Sequence, residues 1–317
     1  MIKLPVLYVV VPCYNEKDVL PETAKRLNIL FEEMEQENKI DKNSKIVFVD
    51  DGSKDNTWQI ISECNKSYDR VYGIKLSRNV GHQNALLGGV LTVKDECDCV
   101  ISIDADLQDD IYAIKEMVSK FSEGVEVVYG VRNKRDTDTF FKRTTALGFY
   151  KFMKALGVDC VYNHADYRLM SKRALDALSE FSEKNLFLRG MVPLVGFKSD
   201  MVYYDRNERF AGESKYPLKK MLSFAFDGIT SFSVNPIRTI TLLGFITCII
   251  SALILIYSLI QKFIGTVEPG WTSIICSIWL IGGFQLMGIG LIGEYIGKIY
   301  KEVKNRPRYI VEEYLKK

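Results

Sequence analysis

Residues 99–110, CVISIDADLQDD, join a short apolar run directly to a dense group of carboxylate and amide side chains. Short apolar runs that contain β-branched residues and are bounded by polar clusters are typical of buried strands. The acidic group begins where this strand is predicted to end. The stretch therefore predicts a buried strand that delivers oxygen ligands to one edge of a sheet.

Similar β-rich segments occur on both sides of this stretch, and segments with helical spacing lie between them. Strands are predicted over residues 6–11, 45–49, 71–76, 99–103 and 126–131, and helices over residues 19–37, 57–68, 83–94 and 112–121. This alternation indicates an α/β fold with a mostly parallel sheet and helices on both faces. In such folds the ligand crevice lies outside the carboxyl ends of the strands.

Polar residues follow four of the predicted strands at that edge. They are PCYNE at 12–16, DDGS at 50–53, SRN at 77–79 and DADLQ at 104–108. The first turn lacks the glycine-rich fingerprint of dinucleotide-binding folds, and the chain contains no GxxxxGK[ST] loop. A phosphate bound without either device usually has its charge neutralised by a metal ion.

The DADLQ segment has the chemistry of a metal site. On an extended segment Asp104, Asp106 and Gln108 would point to the same side, opposite the acidic pair Asp50 and Asp51. Oxygen ligands of this kind suit Mg²⁺ or Mn²⁺, which keep coordination positions open for substrate phosphates. A solvated acidic loop is the alternative interpretation.

The second half of the 317-residue chain contains two long runs without charge. Residues 239–261 and 269–293 are each long enough to cross a hydrocarbon layer about 30 Å thick. They predict a transmembrane hairpin, with buried helices of a large soluble protein as the alternative. The predicted order is a catalytic domain over 1–215, an interfacial amphipathic segment over 216–238, a first span over 239–261, an extracytoplasmic loop over 262–268, a second span over 269–296 and a basic tail over 297–317.

Basic residues flank both predicted spans, whereas the loop between them carries only Lys262 and Glu268. The positive-inside rule then predicts that the catalytic domain and both termini are cytoplasmic, in a multi-pass protein of the inner membrane. Seven scattered cysteines without a CxxC pair indicate reduced thiols. The net charge of +2 predicts no general affinity for nucleic acid. The local basic cluster beside the spans suits anionic lipid headgroups.

Six segments together resemble family 2 glycosyltransferases in order and approximate spacing. They are VVVPCYNE, IVFVDDGSKDNT, SRNVGHQNALLGGV, ISIDADLQDD, DYRLM and RFAGESKY. The resemblance is to the polyprenyl-phosphate type, which includes dolichol-phosphate mannose synthases and bacterial undecaprenyl-phosphate glucosyltransferases. It implies a nucleotide-sugar-binding (GT-A-like) fold, a divalent metal, inversion at the sugar carbon and a lipid phosphate acceptor.

The resemblance also implies roles for individual residues. Pro12, Tyr14 and Glu16 would frame the base and ribose of the nucleotide, and Val49 and Asp51 would read the base edge. Core and turn roles are the alternative for Val49 and Pro12.

Further roles carried over from the resemblance concern the phosphates, the metal and the acceptor. Asp104 and Ala105 would lie near the ribose and diphosphate, and Asp104, Asp106 and Gln108 would form the metal site, with Asp106 and Gln108 as direct ligands. Arg132 would lie near the phosphates, Arg209 and Lys215 would hold a phosphate on the membrane side, and Asp166 aligns with the carboxylate usually described as the catalytic base.

The chemistry of the acceptor bears on that last role. A phosphate monoester has its second pKa at about 6, so it is largely a dianion and a nucleophile at cytoplasmic pH. A strong base is then unnecessary, and Asp166 would position the acceptor or the sugar, or stabilise positive charge at the reacting carbon. A sugar hydroxyl acceptor would require a base.

Several other functions are weighed against this one. A processive polysaccharide synthase would carry a QxxRW segment, which the chain lacks. A catalytically silent nucleotide-sugar-binding subunit and a component of a lipid-linked-sugar flippase are further alternatives, although neither span carries the interior charge usual in transport routes. Uridine diphosphate is the nucleotide expected from the family, with glucose or a related hexose as the sugar. Glycines in the second span suggest close helix packing, either within the hairpin or between the subunits of a homo-oligomer.

Overall fold

The computed structural model describes residues 4–133, 164–184, 186–205 and 270–317, together with isolated positions between 237 and 260. The strands are β1 (Leu7–Cys13), β2 (Lys45–Asp50), β3 (Val71–Leu76), β4 (Cys99–Ser102), β5 (Val127–Arg132), β6 (His164–Ser171), β7 (Ser199–Tyr204) and β8 (Val311–Leu315). The helices are α1 (Leu20–Gln36), α2 (Thr57–Ser67), α3 (His82–Val93), α4 (Ala113–Ser122), α5 (Lys172–Ser179), α6 (Leu188–Leu194) and α7 (Trp271–Lys304).

The chain divides into two compact units. The first comprises residues 1–150, 160–216 and 306–317, and the second comprises residues 151–159 and 217–305. All eight strands lie in the first unit, which contains most of the predicted catalytic domain and is called the catalytic unit below.

One eight-stranded sheet forms the centre of the catalytic unit, in the order β7-β5-β6-β4-β1-β2-β3-β8. The pairs β1–β2, β1–β4, β2–β3 and β5–β7 are parallel, whereas β4–β6, β5–β6 and β3–β8 are antiparallel. The fold is thus an α/β arrangement with a mixed, mostly parallel sheet, as expected from the resemblance to nucleotide-sugar-binding (GT-A-like) folds.

Both faces of the sheet are covered, which explains the continuous apolar character of its central strands. Every residue of β1 is buried. Val9 and Val11 belong to a large core cluster with Leu27 of α1 and Ile114 of α4. Complete burial of a side chain of this size contributes about 1.5–3 kcal/mol.

The opposite face of β1 and β2 receives helix α3 at unusually close range. A Cβ atom at Gly89 would lie 2.6 Å from methyl carbons of both Val10 and Val49. A glycine at this position therefore lets α3 approach the sheet directly. The approach matters for the site because His82, the first residue of α3, lies at the same edge as the ends of the strands.

The five strands and four helices predicted for residues 6–131 are all present, with boundaries shifted by one or two residues. Strands β6, β7 and β8 were not predicted from the sequence. The last of these is the most informative, because the end of the predicted basic tail forms an edge strand. Strand β8 pairs with β3, and Lys316 forms an ion pair of 2.6 Å with Glu96.

The second unit is described chiefly through α7, which continues beyond the predicted end of the second span at residue 296. Large apolar side chains such as Ile278, Leu286 and Ile289 are exposed on this helix. Among the described residues, no helix combines the length and the apolar character needed to cross a membrane. The predicted interfacial segment, the predicted loop and most of the first span lie outside the described residues.

Candidate active site

The DADLQ segment forms a turn at the end of β4 and not the extended segment expected from the sequence. Residues 105–107 lie in a turn, and Leu107 has a φ of 56°. The alternation of exposure persists, however. Ala105 and Leu107 are buried, whereas Asp104, Asp106 and Gln108 are partly exposed, so the three predicted ligands retain access to solvent.

Contacts with α1 hold this turn against the core. The hydroxyl of Thr23 donates to the carbonyl oxygen of Ala105 at 2.9 Å. The backbone N–H of Gln108 donates to Oδ1 of Asp106 at 3.2 Å. The hydroxyl of Thr23 therefore positions the backbone of Ala105, and the backbone N–H of Gln108 positions the carboxylate of Asp106.

The DDGS segment after β2 binds the loop that leads into α3. Oδ1 of Asp51 accepts from the backbone N–H of Val80 at 2.7 Å, and Oδ2 accepts from Gly81 at 3.0 Å. A Cβ atom at Gly52, whose φ is 63°, would lie 2.5 Å from the backbone nitrogen of Asn79. Burial raises the pKa of Asp51, and the two backbone donors oppose that rise. Asp51 thus fixes the start of α3 beside the other strand ends.

The loop after β1 is joined to the same edge. Ser53 accepts from the backbone N–H of Asn15 at 3.0 Å, and Thr57 accepts from that of Glu16 at 3.0 Å. The backbone N–H of Lys54 donates to Oδ1 of Asn15 at 2.9 Å. The two segments predicted to frame a nucleotide therefore form one continuous hydrogen-bonded rim.

A second cluster of charges surrounds Asp166 on β6. Nη2 of Arg168 lies 2.5 Å from Oδ1 of Asp166, and Nη2 of Arg189 lies 3.4 Å from Oδ2. Nε2 of His82 lies 3.8 Å from Oδ2 of Asp166 and 3.4 Å from Oδ1 of Asp104. His82 thus links the carboxylate of β6 to the acidic turn after β4.

The pKa values of Asp104 and Asp166 are shifted in opposite directions. Burial raises the pKa of Asp104, as do neighbouring carboxylates, and His82 opposes this. Burial would also raise the pKa of Asp166, but Arg189, Arg168 and His82 together hold it well below its usual range. Asp166 therefore stays ionised at any physiological pH. Asp104 lies in an excess of negative charge that a cation would relieve.

Strands β1 to β6 lie largely within a region of the chain that matches a known protein family. The model of glycosyl transferase family 2 matches residues 8–179, more than half of the chain. The chain belongs to glycosyltransferase family 2.

Several relatives of this glycosyltransferase extend along nearly its whole length. An uncharacterized glycosyltransferase of Bacillus subtilis, YkoT, is 59% identical over 97% of this chain and 91% of its own. A prophage-derived bactoprenol glucosyl transferase of Shigella flexneri is 39% identical over 96% of each chain. Among solved structures, a mannosyltransferase of Pyrobaculum calidifontis is 14% identical, with a TM-score of 0.46 over 96% of this chain and 89% of that one.

The glycosyltransferase brings most of the predicted residues to one edge of the sheet. Pro12 and Val49 are neighbours in the β1–β2 ladder. The side chain of Val49 is fully buried under Gly89, as the core interpretation predicted. A contact between Val49 and a base would therefore have to be made by its backbone. Arg209 and Lys215 lie outside the described residues, and the roles proposed for them stay predictions.

Arg132 of the glycosyltransferase has protein partners in this structure. Its Nη2 lies 3.1 Å from Oδ1 of the buried Asp109, and its Nε lies 3.3 Å from the hydroxyl of Tyr204. That hydroxyl also donates to Oδ1 of Asp109, at 2.6 Å. The cluster joins β5, β7 and the residue that follows DADLQ. Whether Arg132 also contacts a phosphate stays a prediction.

The sequence analysis assigned no role to three residues that the structure places in the site, His82, Arg168 and Arg189. His82 lies in the segment SRNVGHQN, and Arg168 lies in DYRLM, so both were within motifs already identified. Arg189 lies near the start of the short helix α6, and the sequence suggested only that residues near His164 and Arg189 affect sugar selectivity, without a role for Arg189 itself. A histidine directly after a strand-end loop was the available signal for His82.

The residues present fit a divalent cation by their chemistry, since partly exposed carboxylate and amide oxygens are its usual ligands. Within the parts of the chain that the structure describes, no three His, Cys, Asp or Glu side chains are grouped closely enough to hold a metal ion by themselves. Phosphate oxygens of a donor would complete such a site, as is usual for Mg²⁺.

Proposed function

We propose that this glycosyltransferase transfers a hexose, with inversion, from a nucleoside diphosphate sugar to a polyprenyl phosphate at the cytoplasmic face of the membrane. The proposed donor is UDP-glucose or a related UDP-hexose, and the proposed acceptor is undecaprenyl phosphate. The product would be a lipid-linked sugar for modification of cell-surface glycans. The name of the Shigella relative, bactoprenol glucosyl transferase, supports the acceptor class.

The observation that carries the proposal is the state of Asp166. Two arginines hold this carboxylate ionised, and its lowered pKa makes it a poor acceptor of protons. An efficient general base has a pKa near the operating pH, because it must both accept and release the proton. Asp166 does not meet that requirement. A hydroxyl acceptor would need such a base, whereas a phosphate dianion would not.

The donor would bind along the rim formed by the loops after β1, β2 and β4. Tyr14 and Glu16 lie in the loop after β1, and Asp104, Asp106 and Gln108 lie in the loop after the neighbouring strand β4. A bound Mg²⁺ or Mn²⁺ would neutralise charge that develops on the departing nucleoside diphosphate. The protein's part is to orient the donor through the hydrogen-bonded rim and to hold Asp104 and Asp106 at the edge of the core.

The proposed location rests on the uncharged runs at 239–261 and 269–293 and on the exposed apolar side chains of α7. A membrane setting would bring the lipid acceptor to the catalytic unit without releasing it into water. Arg209 and Lys215 are proposed to hold the acceptor phosphate near the membrane surface, where its charge would otherwise be poorly solvated.

The test uses the full chain, purified in detergent, with a panel of UDP and GDP sugars and three acceptors. Undecaprenyl phosphate is compared with undecaprenol, which has the same chain but a hydroxyl group, and with octyl glucoside, a soluble hydroxyl acceptor. We expect transfer to undecaprenyl phosphate alone. Transfer to undecaprenol or octyl glucoside, with none to undecaprenyl phosphate, would refute the proposed acceptor. Donor binding without transfer to any of the three acceptors would favour the catalytically silent subunit.

A further inference from the structure

Two arginines converge on Asp166 from different elements, and they differ in distance and exposure. Arg168 lies on β6, two residues after Asp166, whereas Arg189 lies on α6. A single carboxylate requires one cation for charge balance. The second arginine therefore calls for an explanation beyond the stability of Asp166.

Arg168 has the features of a structural partner. Its side chain is 3% exposed and lies 2.5 Å from Oδ1 of Asp166. Its Nη1 donates to the carbonyl oxygen of Leu188 at 3.4 Å. Its Nε has no hydrogen-bond partner among the described residues. Arg168 is thus enclosed by protein and out of reach of a substrate.

Arg189 is the more accessible of the two. Its side chain is 33% exposed, and it faces Asp166 side-on, with Nε 3.4 Å from Oδ1 and Nη2 3.4 Å from Oδ2. Strong charge-assisted hydrogen bonds of this kind are about 2.7–2.9 Å long. The guanidinium of Arg189 is therefore aligned with Asp166, although its bonds to that carboxylate are longer than strong charge-assisted bonds.

The backbone around Arg189 is nevertheless held in place. The N–H of Leu188 donates to Oε1 of Gln83 at 3.2 Å, and its carbonyl oxygen accepts from Arg168. Gln83 follows His82 on α3. The start of α6 is thus fixed against the two elements that carry His82 and Asp166, and the guanidinium of Arg189 is presented at the same site.

The position of Arg189 differs from that of His82. His82 contacts both Asp104 and Asp166, and Arg189 contacts Asp166 from the side of α6. The predicted donor diphosphate lies with Asp104. If the donor diphosphate binds at Asp104, an acceptor that attacks the sugar from the opposite side would arrive beside Asp166 and Arg189.

We propose that Arg189 binds the acceptor phosphate and that Asp166 is a positioning residue that acts through Arg189. The planar guanidinium matches two phosphate oxygens at once, which a lysine ammonium cannot do. Asp166 holds the guanidinium of Arg189 in the orientation that the acceptor phosphate requires. This inference rests on the proposed function, since it assumes a phosphate monoester as the acceptor.

The test compares Arg189→Lys and Arg189→Gln with the wild type in the full chain. Steady-state transfer gives KM for undecaprenyl phosphate and KM for the donor, and calorimetry gives the dissociation constant of UDP in the absence of acceptor. Loss of a bidentate bond between charged groups should raise the acceptor KM by about 10- to 100-fold. The affinity for UDP should change by less than about twofold, within the scatter expected at an uninvolved site.

Arg173→Gln is the matched control. It also removes an arginine that pairs with a carboxylate, Glu126, at 2.8 Å, but its side chain is 70% exposed and lies on α5, beyond the end of β6. Its kinetic constants should equal those of the wild type. A general loss of folding from arginine removal would affect this control as well.

Asp166→Asn tests the positioning role. It should raise the acceptor KM in the same direction as Arg189→Gln, and the double variant should be no worse in acceptor KM than Arg189→Gln alone, because both changes remove one function. Additive effects would show that Asp166 acts independently of Arg189 and would overturn that part of the proposal.

Two further outcomes separate this inference from the proposed function. If the wild type uses undecaprenol and ignores undecaprenyl phosphate, the proposed function itself fails. If the wild type uses the phosphate but the Arg189 variants keep a normal acceptor KM, only the inference fails. An equal loss of UDP affinity and acceptor use would assign Arg189 to the donor and would also overturn it.

Discussion

Replacing Asp109 by asparagine should destabilise the catalytic unit, because this buried carboxylate joins the end of the acidic turn to β5 and β7. One oxygen of Asp109 accepts from Tyr204 at 2.6 Å and from Arg132 at 3.1 Å. The amide of asparagine preserves the shape but removes the charge. The variant therefore isolates the electrostatic part of the interaction.

The size of the effect follows from these two bonds. A hydrogen bond to a charged group contributes about 1.5–3 kcal/mol and a neutral one about 0.5–1.5 kcal/mol, so each bond should lose about 1 kcal/mol. For the Arg132 contact this is a lower bound, because removal of one charge from a fully buried pair costs about 3–5 kcal/mol. The side chain of Arg132 is 25% exposed, which reduces that cost. We expect a total of about 3 kcal/mol, or about 6–12 °C in the unfolding midpoint.

Tryptophan fluorescence provides the assay. Trp58 packs against the core of the catalytic unit, whereas the other two tryptophans, Trp271 and Trp279, lie on α7. In the full chain with both α7 tryptophans replaced by phenylalanine, thermal unfolding in detergent then reports on the catalytic unit alone. Asp200→Asn is the control, since Asp200 forms an exposed pair with Lys120 that should contribute less than about 1 kcal/mol. A midpoint for Asp109→Asn within about 2 °C of this control would refute the reasoning.

Three further predictions concern the metal, the topology and the cysteines. Asp106→Ala, or excess chelator, should abolish transfer without lowering the unfolding midpoint, because a partly exposed ligand contributes little to the core; full activity in chelator would contradict the metal proposal. A cysteine at Thr266 should react with an impermeant thiol reagent in intact cells and one at Lys316 should not, and the reverse pattern would overturn the predicted orientation. Cys13, Cys64, Cys97 and Cys99 are buried, and burial raises the pKa of each thiol, to about 12 for Cys97. In a variant with the other three cysteines replaced by serine, these thiols should not react with a thiol reagent at pH 8 until denaturant is added. Rapid reaction in the native state would contradict the assignment of these residues to the core.

The local parts of the fold were predictable because their signals lie within a few residues. The run 99–103 is apolar because β4 is covered on both sides, and the acidic group after it marks the end of the strand. The same reasoning predicted β1, β2, β3 and β5, with the helices between them. The role of Gly89 in the close packing of α3 could not be predicted in this way, because it depends on Val10 and Val49, which approach Gly89 only in the folded chain.

The acidic turn illustrates a mixed outcome. The sequence predicted that Asp104, Asp106 and Gln108 would lie on the same side of an extended segment, and all three are partly exposed whereas Ala105 and Leu107 between them are buried. The backbone was expected to be extended, but it turns, since Leu107 adopts a left-handed conformation that few leucines adopt. Contacts of the turn with Thr23 of α1 accompany that conformation, and such contacts between distant segments leave no local pattern in the sequence.

The sequence by itself determined the class of the fold, the family and the identity of the carboxylates at the sheet edge. Only the tertiary structure decided how those carboxylates differ. Asp104 gathers other acidic groups around it, whereas Asp166 is paired with Arg168 from its own strand and with Arg189 from α6. The strand β8 was decided in the same way, since an edge strand of five residues is specified by its partner β3 and not by its own composition. Pairings of this kind join residues far apart in the chain, and their free energy depends on distance, burial and neighbouring charge, none of which a linear sequence contains.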